Sequence, residues 1–249
     1  NSLVQLDGSF LEILTVAYPE KLFPEEGRTF SFGEFNRDFL EKREGFSMLV
    51  FEGLDTASEQ QRYNDLGFGP WDPFHFERTT TLPGGETATV AFDLAFATDP
   101  ALPEARFFTC KQTAPHLFWK REYQRHANGA QRLVDVVMIA EDPPALADIY
   151  RRLCGERAVV VTHDSLSVVT LLGRILVLTP MGMVDRFGVN PAEDCPDTPH
   201  FAAYTIQVAD LDAVGFILAN AGIAHIRAGD RVTVPPATGF GTAISFVGG

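Results

Sequence analysis

Three segments of the chain repeat one pattern, in which a short apolar run leads into a helix-like stretch that ends at a glycine. The apolar runs are typical of buried strands, and each leads to an aspartate in the position of a helix N-cap. A glycine, which is favoured just after a helix, follows each aspartate after 12 or 13 residues. The segments are 46-FSMLVFEGLDTASEQQRYNDLGF-68, 133-LVDVVMIAEDPPALADIYRRLCG-155 and 201-FAAYTIQVADLDAVGFILANAGI-223, with aspartates Asp55, Asp142 and Asp210 and glycines Gly67, Gly155 and Gly222.

Strand patterns follow each of these glycines. After the first glycine, the segment 90-VAFDLAF-96 alternates apolar and other residues, and 105-ARFFTCK-111 comes next. After the second, 166-LSVVTLL-172 and 174-RILVLT-179 flank Gly173 as two strands flank a hairpin turn. The repeating unit is therefore predicted to be one strand, one helix and about three strands, a βαβββ module in an α+β fold. Such units must pair to bury their sheets.

The first residues of the chain resemble the end of a further module. Residues 2–6 and 9–14 flank an Asp-Gly turn and predict a hairpin, so the leading strand and helix of that module would precede Asn1. A stretch rich in Pro, Glu and Gly, 18–45, is predicted to be a linker. We predict an N-terminal domain over 1–130, made of the incomplete module and the second module, and a C-terminal domain over 131–249 with two modules.

Charge and cysteine content narrow the classes of partner. The net charge of −13 disfavours binding to a phosphate backbone, so we expect no nucleic-acid partner. The longest apolar runs are too short to span a bilayer, so we expect no membrane partner. Three widely spaced cysteines do not form a disulfide framework or a zinc motif, which indicates a reducing, cytoplasmic location.

The segment 107-FFTCKQTAPHLFWKREYQRHANGA-130 is the most distinctive part of the sequence. Its spacing of Gln112, Pro115 and Trp119, followed by 126-HANGA-130, resembles the glyoxalase-like domain subgroup of the vicinal oxygen chelate (glyoxalase/bleomycin-resistance) superfamily. The segments 1-NSLVQLDGSFLEIL-14 and 65-DLGF-68 share this resemblance. The superfamily resemblance extends over nearly the whole chain and implies modules that pair into two curled-sheet domains, each around a cavity.

Enzymes of this superfamily typically hold one divalent metal between the first and last strands of paired modules. The first-strand ligand, often His, lies seven residues before the N-cap Asp, where this chain has Met48, Asp135 and Ala203. The last-strand ligand, often Glu, is matched by Glu12 and by Gln112. The resemblance therefore implies a divalent-metal cofactor held by Glu12 and Gln112 in the N-terminal domain, completed by the missing strand. The C-terminal pair offers Asp135 and little else.

The other candidates come from the distinctive segment and its neighbours. His126 is a candidate general base, or a group that orients an anionic substrate, because histidine titrates near neutral pH. Glu12 is the other candidate catalytic residue. The alternative is that His126 and Asn128 bond local backbone around an Asn-Gly turn. The candidate cavity residues are Met48, Phe92, Cys110, His116, Trp119 and Asn128. The alternative is that the aromatic side chains belong to the core, where aromatics at helix spacing are more often found.

Three function classes remain open from the sequence. The first is a metal-assisted lyase, isomerase or dioxygenase that acts on a small molecule in the N-terminal cavity. The second is a metal-free protein that binds or sequesters a small molecule, as proteins of the bleomycin-resistance type do. A third option is an interaction scaffold, and a homodimer is compatible with each of the three.

Overall fold

The computed structural model describes residues 1–81 and 85–249, in which strands and short helices alternate. The strands are β1 (Ser2–Leu6), β2 (Ser9–Ile13), β3 (Met48–Glu52), β4 (Phe74–Thr81), β5 (Thr87–Ala97), β6 (Arg106–Gln112), β7 (Ala130–Ile139), β8 (Val159–Val161), β9 (Ser165–Val169), β10 (Arg174–Leu178), β11 (His200–Val208), β12 (Ile226–Ala228), β13 (Arg231–Val234) and β14 (Ala243–Gly248). The α-helices are α1 (Phe32–Leu40), α2 (Thr56–Asp65), α3 (Pro115–Phe118), α4 (Ala147–Cys154), α5 (Pro180–Phe187) and α6 (Leu211–Asn220). Short 3₁₀ helices cover Pro19–Lys21, Arg121–Gln124, Pro143–Leu146 and Glu156–Ala158.

Three stretches of the chain adopt one βαβββ topology. Strands β3 to β6, with α2 after β3, form a four-stranded sheet in the order β3-β6-β5-β4. Strands β7 to β10 with α4, and β11 to β14 with α6, repeat that order and join through β7 and β11 into the eight-stranded sheet β12-β13-β14-β11-β7-β10-β9-β8. In every module the first strand runs parallel to the last. The predicted α+β fold of repeated curled-sheet modules is confirmed.

The helices begin and end where the repeated pattern predicted. Asp55 accepts a hydrogen bond from the Ser58 amide, and Asp210 accepts two, from the amides of residues 212 and 213. Asp142 also stands at an N-cap, but its side chain makes no capping bond and the helix starts as a 3₁₀ turn. Glycines with positive φ follow the helices, as at Gly67 and Gly222. Within residues 1–81 and 85–249, no helix has the length and apolarity needed to cross a bilayer.

The chain divides into two compact units, of which the second comprises Val16–Asp38 and Met48–Lys120. Its sheet carries α2 on one face, where the side-chain amide of Gln60 bonds both the amide and the carbonyl of Phe96 at 2.8 and 2.9 Å. The other face carries an aromatic cluster that includes Phe30 and Phe32 from the predicted linker. The linker prediction over 18–45 is therefore incomplete, because its phenylalanines pack on the sheet and its end forms α1.

The first unit comprises Asn1–Thr15, Phe39–Ser47 and Arg121–Gly249. One face of its eight-stranded sheet packs against α4 and α6, as the hydrogen bond of 3.3 Å from the Tyr150 hydroxyl to the Met138 sulfur illustrates. The opposite face packs against α5, whose Met183 and Phe187 are fully buried. Helix α5 connects the two modules and was not part of the repeated pattern.

The hairpin of β1 and β2 forms as predicted and groups with the first unit. The Asp7 amide donates a hydrogen bond of 2.7 Å to the Gln131 carbonyl, and Leu6 is buried with Ala130 and Val208. This grouping differs from the predicted domains, in which the hairpin belonged with the second module over 1–130. The domain boundary near Gln131 stays a prediction about the independently folding parts of the chain.

Candidate functional site

The face of the four-stranded sheet opposite α2 gathers several of the predicted cavity residues. Alternation along β5 puts Val90, Phe92, Leu94 and Phe96 on this face, and all four are buried. Strands β3 and β6 add side chains to the same apolar cluster, which we call the aromatic face. Its members from the sheet and the surrounding segments are Phe30, Phe32, Phe35, Met48, Val50, Trp71, Phe74, Val90, Phe92, Leu94, Phe96, Phe108, Cys110, Leu117 and Phe118.

One edge of the aromatic face is open to solvent. Phe76 is 37% exposed and stacks on Phe92 with ring centroids 5.0 Å apart. Phe118 meets Phe92 edge-on at 6.4 Å and meets Trp119 edge-on at 5.0 Å. Stacked and edge-on pairs of this kind are favourable arrangements, and the exposed part of the Phe76 ring remains available to a further planar group. This edge therefore offers a surface suited to a planar ligand.

Gln112 ends β6 at this edge, directly opposite Phe92 in the strand register. Its side-chain oxygen Oε1 is buried and has no hydrogen-bond partner among the described residues. A buried polar atom without a partner lowers stability by about 1–3 kcal/mol, so each instance needs an explanation. A donor supplied by a ligand would satisfy this oxygen.

The structure brings Met48, Phe92 and Cys110 together on the aromatic face, with Trp119 beside Phe118 at its edge. His116 lies on the four-residue helix α3 and is exposed. Helix α3 begins at Pro115 and ends after one turn, where Trp119 takes an extended conformation with φ −76° and ψ 116°. The cavity roles of these residues stay predictions.

Glu12, His126 and Asn128 belong to the first unit, whereas the aromatic face belongs to the second. Glu12 is exposed near the end of β2 and accepts a hydrogen bond from the side-chain amide of Asn1. His126 donates through Nε2 to the backbone carbonyl of Gln5 at 2.6 Å, and Asn128 accepts from the Ala130 amide at 3.2 Å. The Asn128 bond is the local backbone bond that the alternative described, whereas His126 bonds backbone 121 residues away in sequence. The catalytic roles of Glu12 and His126 stay predictions.

Asp135 on β7 is 2% exposed and is held by two arginines. Nε and Nη2 of Arg174 lie 2.9 and 2.8 Å from its Oδ1, and Nη2 of Arg186 lies 3.4 Å from its Oδ2. Sequence reasoning identified Asp135 but missed both arginines. Arg174 is the one charged residue in the strand RILVL, and that charge was the available signal.

A third arginine lies near this ion-pair group. Nη1 of Arg231 donates to the hydroxyls of Ser245 at 2.7 Å and Thr205 at 3.2 Å. Burial lowers the pKa of Arg231, and the positive charges of Arg186 and Arg174 lower it further against the raising effect of Asp135. The electrostatic environment here is cationic.

The donor set does not fit a divalent metal around Asp135, because the carboxylate is already bonded to two guanidinium groups that would repel a cation. No group of three or more His, Cys, Asp or Glu side chains converges anywhere within the described parts of the chain. Glu12 and Gln112, the predicted ligands, fall in different units. We derive no metal-dependent step from this arrangement.

An open pocket of about 550 Å³ lies in the first unit between the hairpin turn and the start of β7. None of the predicted site residues lines it, and its walls lack aromatic surface. Its lining residues are Asp7, Arg121, Gln124, Arg125, Gln131 and Arg132. We give more weight to the aromatic face, because that face combines apolar ring surface with an unsatisfied polar atom.

Solved structures resemble this chain at low sequence identity. A hypothetical protein from Staphylococcus aureus superposes with a TM-score of 0.56 at 9% identity, covering 87% of this chain and 73% of that one. Methylmalonyl-CoA epimerase from Mycobacterium tuberculosis matches with a TM-score of 0.37 at 15% identity, covering 50% of this chain and 91% of that one. A variant of the Streptomyces coelicolor epimerase, in complex with 2-nitronate-propionyl-CoA, gives 0.34 at 14% identity and covers 48% of this chain and 97% of that one.

No curated protein matches the chain. The family profile described as "Glyoxalase-like domain" matches residues 1–154, which is more than half of the chain. That range includes the hairpin, the whole second module and the first strand and helix of the third. The chain therefore belongs to the glyoxalase-like domain family, within the vicinal oxygen chelate superfamily of small-molecule enzymes and binding proteins.

Proposed function

We propose that the aromatic face of the second unit binds a planar small molecule without a metal. The observation that carries this proposal is the buried, unpartnered Oε1 of Gln112, which lies opposite Phe92 in the register, while Phe118 meets Phe92 edge-on. Ligand sites are mostly apolar with a few well-placed polar groups that set orientation. One amide oxygen at the edge of an aromatic surface has this composition.

The ligand class follows from these groups. Ring stacking on Phe76 and Phe118 favours a flat conjugated body, with about 0.5–1.5 kcal/mol for each ring pair beyond the burial of area. The Gln112 oxygen accepts hydrogen bonds, so the ligand carries an N–H or O–H donor at its edge. Matching this oxygen removes a desolvation penalty already present in the free protein, which adds to the affinity for ligands with a donor.

The test is a fluorescence and thermal-shift screen of planar compounds, half with an edge donor and half methylated at that donor, in buffer with EDTA. The chain has two tryptophans, and Trp71 and Trp119 both lie at the aromatic cluster, so binding should quench emission. The proposal expects saturable binding of donor compounds that Phe118→Ala weakens. Binding that appears only after a divalent metal is added, or no binding at all, would overturn it.

A metal-assisted reaction is the second candidate, because the same Gln112 oxygen is a ligand type that a hard cation accepts. It requires carboxylate or imidazole donors near Gln112. Elemental analysis of the purified full-length protein tests this candidate. A divalent metal at one equivalent per chain, lost in Gln112→Met, supports it, whereas a substoichiometric content unchanged by that substitution rejects it.

A further inference from the structure

A continuous row of polar side chains crosses five adjacent strands of the eight-stranded sheet. The register pairs each member with the next across the order β13-β14-β11-β7-β10. We call this set the polar row, and its members are Thr233, Ser245, Thr205, Asp135 and Arg174. The first four are at most 2% exposed, so the row is built into the interior of the sheet face. A β-bulge next to the Thr205–Asp135 pair interrupts the β7–β11 ladder, as bulges often do beside functional sites.

The polar row lies on the face that α5 covers. Alternation along β7 puts Asp135 on the same face as Val137 and Ile139, and both pack with Met183 and Phe187 of α5. Arg231 starts β13 and lies over the Phe187 ring, with its guanidinium carbon 4.8 Å from the ring centroid. Helix α5 and the row together gather three guanidinium groups in one place.

Positive charge exceeds negative charge in this group. The guanidinium groups of Arg174, Arg186 and Arg231 face the Asp135 carboxylate, and the exposed Asp230 is the second carboxylate whose charge acts on Arg231. Three cations against two anions leave a positive excess, in a chain whose net charge is −13. A cluster of net positive charge in a chain of net negative charge is not expected where surface charge only maintains solubility.

All three arginines are held in place; Arg174 and Arg186 are also accessible, whereas Arg231 is 9% exposed. Asp135 and the two hydroxyls fix one side of each guanidinium, which keeps the planar groups oriented. The side chains of Arg174 and Arg186 remain 48% and 37% exposed. A guanidinium has five N–H donors, so each arginine keeps donors beyond those that these bonds use.

We infer that Arg174, Arg186 and Arg231 form an oxyanion site in the C-terminal pair of modules, for a small molecule with a phosphate or carboxylate group. Guanidinium groups bind such oxyanions in a bidentate geometry that lysine does not provide. Asp135 orients the arginines rather than binding the ligand. The site belongs to the first unit and does not depend on the function proposed for the aromatic face.

The experiment is isothermal titration calorimetry of the full chain with inorganic phosphate and, separately, with malonate, at an ionic strength held constant with NaCl. We expect saturable binding of at least one anion, and the anion that binds identifies the phosphate or carboxylate class. Arg186→Gln should weaken that binding at least fivefold. Two matched controls, Arg152→Gln on α4 and Arg125→Gln in the open pocket, should change it less than twofold.

Circular dichroism and a urea midpoint establish that the variants are folded. If Arg186→Gln does not fold, Arg186→Lys keeps the charge without the planar group and should still weaken binding at least threefold. The inference is overturned if neither anion binds the wild-type chain. It is also overturned if the folded Arg186 variant binds with an affinity closer to that of the wild type than these fold-changes allow. Equal weakening in a control variant overturns it as well.

Discussion

Two glutamines of the second unit bury side-chain amide atoms, with opposite consequences for stability. Gln60 on α2 is 1% exposed and bonds both polar atoms of the Phe96 peptide. Gln112 on β6 buries Oε1 without a partner. The same residue type therefore stabilises the fold at one position, while at the other it leaves an unmet hydrogen bond that we assign to ligand recognition.

Substituting each glutamine with methionine, which has a similar shape, should change stability in opposite directions. Gln60→Met should lower the free energy of unfolding by about 1–3 kcal/mol, because it leaves the Phe96 amide and carbonyl unpaired. Gln112→Met should raise it by about 1 kcal/mol, because it removes an unsatisfied atom. Urea denaturation measures both values. A loss of stability in Gln112→Met comparable to that in Gln60→Met would show that Oε1 has a partner in solution.

The Asp135 carboxylate should contribute more to stability than a surface carboxylate in a similar ion pair. Asp135→Asn leaves Arg174 and Arg186 facing each other, and we expect a loss of about 2 kcal/mol, reduced from the fully buried case because both arginines are partly exposed. Asp148→Asn is the matched control, since Asp148 is 79% exposed and pairs with Arg152 at 2.8 Å. Its loss should stay below about 0.5 kcal/mol. Equal losses in the two variants would contradict the role given to Asp135.

At the scale of single elements, local signals were sufficient to place the helices of the repeated modules. The N-cap aspartates and the following glycines act within a few residues of sequence, so the positions of α2, α4 and α6 could be read directly. The alternation of β5 was equally local and correctly identified its buried face. Helices outside the repeat were missed although they carry similar signals. Thr179 caps the start of α5 and Gly188 with positive φ follows its end, and Ser31 accepts a hydrogen bond from the Glu34 amide at the start of α1.

The capping bonds predict a graded response at the helix starts. Asp210→Ala removes the two bonds to the first turn of α6 and should lower stability by about 1 kcal/mol. Asp142→Ala removes no capping bond and should lower it by only a few tenths, about 0.3 kcal/mol. Thermal or urea unfolding of the two variants compares them directly. The prediction is wrong if Asp142→Ala is the more damaging change.

Strand register explains why the polar row escaped the sequence analysis. Asp135 was found by counting back from an N-cap, but Arg174 and Thr205 become its neighbours only through pairing of β7 with β10 and β11. Those partners are 39 and 70 residues away in sequence. Gln112 was named as a ligand candidate by resemblance, whereas its lack of a hydrogen-bond partner depends on its surroundings in the fold.

At the scale of the whole molecule, the repeated pattern determined the topology. Three copies of one module were visible in sequence, and each copy orders its strands in the same way. The grouping of the N-terminal hairpin was not visible, because it depends on contacts such as that of Asp7 with Gln131. The assembly of modules into units therefore rests on distant contacts that no local pattern encodes.

Global stability should fall at alkaline pH through two buried phenols. Burial raises the pKa of Tyr204 from 10.0 to about 12 and also raises the pKa of Tyr150. In the unfolded chain each phenol releases its proton near the ordinary tyrosine pKa, whereas in the folded chain it holds the proton to higher pH. Stability is therefore unaffected by these phenols below about pH 10 and falls as pH rises toward their folded-state pKa.

Urea midpoints at about pH 9 and about pH 11 measure this loss. The phenylalanine in Tyr204→Phe cannot ionise. The free energy of unfolding of this variant should therefore fall by about 1 kcal/mol less than that of the wild type over this interval. All other titrating groups are shared by the two proteins and cancel in the comparison. An identical fall in both proteins would contradict the assigned burial of the Tyr204 hydroxyl.

The most direct test of the proposed function is a crystal structure of the chain with the tightest planar compound from the screen, grown in EDTA. The account predicts the compound against Phe76 and Phe118, with its donor about 2.7–3.2 Å from Oε1 of Gln112 and no ion between them. A compound bound elsewhere, or one that reaches Gln112 only through a metal ion, would contradict it.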